Sequence, residues 1–230
     1  WGRDFFLRPT AADHEGFKPP CADHVMHLPD AGDAVGGVSG MEGDRAQAAH
    51  LAAHLSYTNS AISSEGLSSA QMFFIGLIED ARVEYRAAND FPGLKKLWGR
   101  LLAVDHEGAT EHPTVPLLER FARCLNDDDI RTDNTELDRL AARFHDEIEA
   151  RQNDNQFSRD LGMELFRLLA DRKEVPSLRI LESIRVPYRD DNRIVWAFEK
   201  FDWEAQGTDY IPAWQRQVRK YVSAVEMANE

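Results

Sequence analysis

Two histidines, His50 and His54, stand four residues apart in the Ala-rich run QAAHLAAHL at 47–55. On a helix both imidazoles leave the same face about one turn apart, a geometry that lets two histidines grip a single metal ion such as zinc or iron. A second concentration of chemistry follows in Gln71 to Arg86, QMFFIGLIEDARVEYR, where an almost wholly apolar pattern ends in Glu79, Asp80, Arg82, Glu84 and Arg86. Glu79 and Arg82, at i and i+3, can pair. Asp80 and Glu84 are like charges at i and i+4, which costs roughly 0.2–0.5 kcal/mol on an exposed helix and more once desolvated. A cation must sit beside them: an Arg, a His or a metal. The simplest reading of Glu79, Asp80, Arg82 and Glu84 is a buried salt-bridge network that fixes helix register.

The placement of Glu79 on the helix after the histidine pair resembles the third ligand of gluzincin metallopeptidases, which carry His-Glu-x-x-His on one helix and a Glu on the next. That resemblance implies a metal set of His50, His54 and Glu79. The chain departs from the pattern where the reaction happens: Leu51 stands in place of the Glu that activates zinc-bound water, and a leucine neither takes nor gives a proton. Peptide hydrolysis by this route is disfavoured. What remains is a metal pinning two helices together, or no metal, with the histidines neutralising Asp80 and Glu84. A second set of soft ligands, Cys21, His24 and His27 with His14, lies among Pro19, Pro20 and Pro29. It lacks the Cys-x-x-Cys half-site common in zinc sites and reads as a solvated loop. His145 and Glu149 read as a surface pair.

These residues need helices to position them. In 71–86, Phe74, Leu77, Ile78, Ala81 and Tyr85 make one apolar stripe, while Met72, Phe73, Ile75 and Val83 cover other faces, so the helix must be buried. Ser68 or Ser69 is its N-cap, it ends near Asn89, and Pro92 breaks the chain after it. Helical periodicity predicts further helices over 42–57, 93–104, 113–126, 135–152 and 157–171. In the fifth of these six helices Leu137, Leu140, Ala141, Phe144 and Ile148 face inward. Residues 1–40, rich in Pro, Gly, His and Asp, read as an extended arm. After Pro176 the stretches 179–185 and 194–201 fit a strand or a short helix equally. The expected fold is all-α: a helical bundle over 41–175, with the arm before it and a mixed segment, 176–230, after it.

The chain has 230 residues and a formal net charge of −13, which argues against nucleic acid or an anionic membrane as partner and for basic surfaces on a protein. Its two cysteines, Cys21 and Cys124, suggest no disulfide framework, and the cytoplasm is the expected compartment. No apolar run is long enough for direct insertion into a membrane. Walker, dinucleotide-binding and Gly-x-Ser-x-Gly motifs are absent, which disfavours autonomous ATP hydrolysis. Trp98, Trp203 and Trp214 read as core or interface anchors.

The wording IEDARVE at Ile78 to Glu84, followed by FPGLKKLW at Phe91 to Trp98, resembles a region of the NorD/CbbO proteins, which are nitric-oxide reductase activation proteins and Rubisco-activase adaptors. EDARVE is more distantly similar to the cobaltochelatase CobT subunit. FDWEAQGTDYIPAWQRQV at Phe201 to Val218 looks like the Trp and Tyr motif that precedes the von Willebrand A domain of this family. The resemblance implies a non-catalytic adaptor that couples a hexameric MoxR-class AAA+ ATPase to the activation or remodelling of a target enzyme complex. It also implies a role for Glu79, Asp80, Arg82 and Glu84 in contacting that ATPase or in supporting a metal. The chain departs from the family in lacking the Asp-x-Ser-x-Ser loop of the A domain, and with no Met before Trp1 the expectation is a fragment that stops short of that domain. The competing expectations are a metal-dependent hydrolase-like protein with a degenerate gluzincin site and a purely structural interaction domain.

Overall fold

The computed structural model describes residues 6–9, 21–22, 25–28, 34, 37–58, 60–103, 112–181, 184, 186, 188–190 and 192–197. Six long helices carry the architecture: α1 (Gly40–Tyr57), α2 (Ser69–Asp90), α3 (Gly93–Leu102), α4 (Thr114–Asn126), α5 (Thr135–Arg151) and α6 (Asn155–Asp171). The fold is an all-α bundle, as the periodicity predicts. Serine caps open the two helices that matter most for the site. Ser39 forms a capping box with Glu42 before α1, and Ser68 forms one with Gln71 before α2, each satisfying backbone N–H groups the first turn leaves unpaired. Asn134 and Asp154 accept from the first turns of α5 and α6.

Helix α2 is the axis of the bundle. Phe74, Ile75, Ile78 and Val83 are fully buried, as the apolar run requires, and α1, α3, α4 and α6 all pack against it. Its closest neighbour is α6, where Gly162 lies directly over the α2 backbone; a Cβ there would stand 2.4 Å from Ile75 Cα. The absent side chain is therefore what allows the two helices to approach. Around this contact Phe144 of α5 stacks on Phe157 of α6, with ring centroids 5.8 Å apart, and the stripe Leu137, Leu140, Ala141, Phe144 and Ile148 is buried as expected. Each buried Leu, Ile and Phe of that set contributes about 1.5–3 kcal/mol by leaving water.

Sequence and structure part company at the ends. The stretch 179–185 enters a single helical turn, α7 (Leu178–Leu181), and the stretch 194–201 begins within a 3₁₀ turn (Arg193–Val195), then forms strand β5 (Trp196–Ala197). Strand β5 pairs in parallel with β4 (Ile62–Ser63), a partner far away in the chain that local periodicity could not reveal. Nor does the bundle stop at 175: Leu181, Ile184, Val186 and Tyr188 belong to the same apolar core as the six helices. In the expected arm, β1 (Phe6–Pro9), β2 (Cys21–Ala22) and β3 (Val25–Leu28) form a small sheet in the order β1-β3-β2, parallel between β1 and β3 and antiparallel between β3 and β2. The side chains of the proposed Cys21, His24, His27 and His14 set lie outside the described residues, as do Trp203, Trp214 and the whole Phe201 to Val218 motif. Among the described residues no helix is long and apolar enough to cross a membrane.

Because backbone, not a flexible side chain, opposes a Cβ at Gly162, Gly162→Ala must push α6 off α2. We expect a loss of about 1–3 kcal/mol, of the size seen when a tight core is overpacked. Urea denaturation compared with wild type measures it; an unchanged midpoint would contradict the described α2–α6 contact.

Candidate metal centre

The charges of α2 divide between two networks. Glu79 and Arg82 form one: Arg82 Nε donates to Glu79 Oε2 at 2.8 Å, and Nη2 donates to Glu79 Oε1. The guanidinium has further donors to place. Nη2 also reaches the Tyr57 carbonyl at 2.9 Å and Nη1 the Gln152 carbonyl, so one cation satisfies acceptors at the C-terminal ends of α1 and α5 that no helix N–H can reach. Glu79 is saturated from its other side by Thr58 Oγ1 (2.9 Å) and Ser158 Oγ (2.7 Å). The pair, fully buried, ties α1, α5 and α6 to α2.

That arrangement corrects the ligand set of His50, His54 and Glu79. The carboxylate of Glu79 is committed to Arg82, and it is Asp80, the next residue, that meets the histidines. His54 Nε2 lies 3.1 Å from Asp80 Oδ1, and His50 Nε2 lies 3.8 Å from that same oxygen. A one-residue change turns a side chain by about 100° on a helix, so the choice between Glu79 and Asp80 depends on how α2 is rotated against α1. Such a rotation is set by packing and is invisible in the spacing.

The second network is completed by residues the sequence reading did not single out. Tyr188, Arg189 and Asp190 follow α7 and enter the core, all nearly inaccessible. Arg189 grips Glu84 with two parallel bonds, Nε to Oε1 at 2.8 Å and Nη2 to Oε2 at 2.9 Å, and its Nη1 lies 3.5 Å from Asp80 Oδ2. This is the cation that the like-charged pair Asp80 and Glu84 requires. Tyr188 donates to Glu84 Oε2 at 3.3 Å, stacks on Trp98 with centroids 5.9 Å apart, and meets the His50 ring edge-on. Trp98 is thus the core anchor it was expected to be, its Nε1 donating to the Ala46 carbonyl. Asp190 Oδ1 accepts the Asn192 amide at 3.0 Å and stands 3.8 Å from His50 Nε2. Asn192 holds φ +56°, a left-handed conformation that Asn tolerates well, and its side chain rests where Gly76 has no Cβ.

Burial and charge set the electrostatics. Burial disfavours a cation at His50, but Asp190 and Glu84 outweigh it and push its pKa up to about 9. Burial raises a carboxyl, yet Arg189 and His50 hold Glu84 down at about 2, and Arg189 with both histidines lowers Asp80. Burial likewise opposes ionisation of Asp190, which His50 overcomes and shifts downward. The His50 Nδ1 to Glu84 Oε1 contact is short, 3.1 Å, but off hydrogen-bond alignment; neither nitrogen of His50 has a directed partner among the described residues, and neither has Asp190 Oδ2 or Arg189 Nη1. His50, His54, Asp80 and Asp190 each offer a ligand atom within 4.8 Å of the others, a set of two imidazoles and two carboxylates that suits a transition metal.

Outside this centre, His145 does not serve Glu149: its Nε2 lies 2.7 Å from the Cys124 carbonyl. Cys124 is a buried thiol, with burial first and Asp138 second pushing its pKa up to about 11. No protein-family model, curated protein or solved structure matches the chain.

Removing Arg82 leaves Glu79 buried and two helix ends unsatisfied. Arg82→Ala is therefore expected to cost about 3–5 kcal/mol, the range for breaking a buried pair on one side. Chemical denaturation checks this; a loss below about 1 kcal/mol would show that the pair is not buried in solution. Cys124 should resist iodoacetamide at pH 8 in the folded chain and react only on unfolding, which mass spectrometry of the labelled protein reads.

Proposed function

We propose that the chain is the helical, non-catalytic part of an adaptor of the NorD/CbbO kind, which docks on a MoxR-class AAA+ hexamer and passes its ATP-driven work to a target enzyme. The observation that carries the reading is the fate of Ile78 to Glu84: its four charged side chains are at most 3% exposed, and each has an ionic partner inside the bundle. A motif used this way builds a rigid body that is recognised from outside. The histidines that would serve a hydrolase are fully buried, and Leu51, in the general base's place, is buried with them. A substrate needs a path to such groups, and water needs a base. The surplus of acidic residues supplies a field for a basic docking face, effective at low salt.

The test is to mix the purified chain with the MoxR-class hexamer of the same organism and measure co-elution and ATPase rate. We expect a complex that alters the ATPase rate severalfold and weakens as salt rises from about 0.05 to 0.3 M. Absence of a complex, with an unaltered ATPase rate at both salt concentrations, would overturn the reading.

A further inference from the structure

We infer that the bundle binds one divalent transition-metal ion of the zinc class through His50 Nε2, His54 Nε2 and one carboxylate oxygen each from Asp80 and Asp190. The direction of the hydrogen bonds leads there. Thr58 Oγ1 lies 2.9 Å from Glu79, and because a carboxylate only accepts, the Thr58 hydroxyl must donate to it. Thr58 is then the acceptor for His54 Nδ1, 3.2 Å away, which places a hydrogen on Nδ1. His54 Nε2 faces Asp80 at 3.1 Å, and lone pair against lone pair is repulsive, so that nitrogen carries either a second proton or a metal. His50 has carboxylates on both sides as well, though without aligned hydrogen bonds. Its Nδ1 faces Glu84 at 3.1 Å, and its Nε2 stands between Asp80 and Asp190 at 3.8 Å from each.

Charge leaves the same two choices. Asp80, Glu84 and Asp190 bring three negative charges and Arg189 one positive, so two more positive charges balance the site: two protons shared between the imidazoles and the carboxylates, or one divalent ion. The imidazolium pair would set two cations with ring centroids 4.7 Å apart in a dry core, where like charges interact strongly. A single ion between the four side chains removes that repulsion, takes up both Nε2 lone pairs and gives Asp190 Oδ2 a partner it lacks among the described residues. Four-coordinate zinc places its ligands about 3.3 Å apart; the 3.1 Å and 3.8 Å separations already lie near that, and the whole set, within 4.8 Å, must draw in by at most about 1.5 Å. The outer partners are those of histidine metal sites: Glu84 behind His50, and Thr58 with Glu79 behind His54. With four protein ligands, each at most 3% exposed among the described residues, the site is structural, and the ion staples Asp190 and its segment to α1 and α2.

The experiment uses the full chain, stripped with a chelator and titrated with Zn(II) alone, with metal content, thermal midpoint and circular dichroism recorded. We expect about one equivalent and a midpoint raised by about 5–10 °C at a hundredfold excess over Kd. Asp190→Asn, which keeps the volume and the Asn192 contact, should retain its helix content yet bind at least about tenfold more weakly. Cobalt(II) in place of zinc should show no thiolate charge-transfer band. Three results would overturn the inference: an unmoved midpoint with no bound zinc, which leaves the imidazolium pair; equal affinity in Asp190→Asn; or a thiolate band, which moves the ion to a cysteine. None of them bears on ATPase binding, so the adaptor reading stands or falls separately.

Discussion

A helix that is apolar on nearly every face must be surrounded, and α2 carries Glu79, Asp80, Arg82 and Glu84 into that surrounded position. Each ion removed from water costs several kcal/mol unless it is paired and its remaining hydrogen-bonding groups are met. The rest of the molecule is arranged to meet that demand. Glu79 and Arg82 serve one another, and their spare capacity takes up Thr58, Ser158 and the carbonyls of Tyr57 and Gln152. Asp80 and Glu84 emerge on another face and require partners from outside the helix. They obtain them from α1, through His50 and His54, and from the segment after α7, through Arg189.

The two networks differ in how complete they are. In the first, every group of the Glu79 carboxylate and most donors of Arg82 have aligned partners, which makes it a mechanical joint of four helices. In the second, His50 and Asp190 keep polar atoms without directed partners although both are buried. Satisfied networks hold a single arrangement of the helices in register. Incompletely satisfied buried groups are where a ligand gains most by binding, because the desolvation cost has already been met by folding.

The placement of the second network also explains why a chain segment of little regular structure belongs to the core. Residues 188–190 contribute a ring against Trp98, a bidentate clamp on Glu84 and a carboxylate beside His50. Without that segment Glu84 would lose its bidentate partner and Asp80 the guanidinium beside it, leaving both carboxylates to the histidines of α1. The bundle is thus closed by electrostatics on one side of α2 and by close apolar packing on the other, where Gly162 admits the α2 backbone.

From its residues alone the chain determined the helices, a serine cap at 68 or 69 before α2, the inward stripe of α5, the burial of 71–86 and the need for a cation near Asp80 and Glu84. Those follow from local rules, since periodicity, capping and like-charge spacing involve residues within one or two turns. Tertiary structure decided which carboxylate meets the histidines, because the rotation of α2 against α1 is fixed by packing with α6 and not by spacing. It also decided that Arg189 and Asp190, more than a hundred residues after Asp80, complete the site. A short irregular segment carries no periodic signal, and its destination is chosen by the charges already buried in the core that it enters.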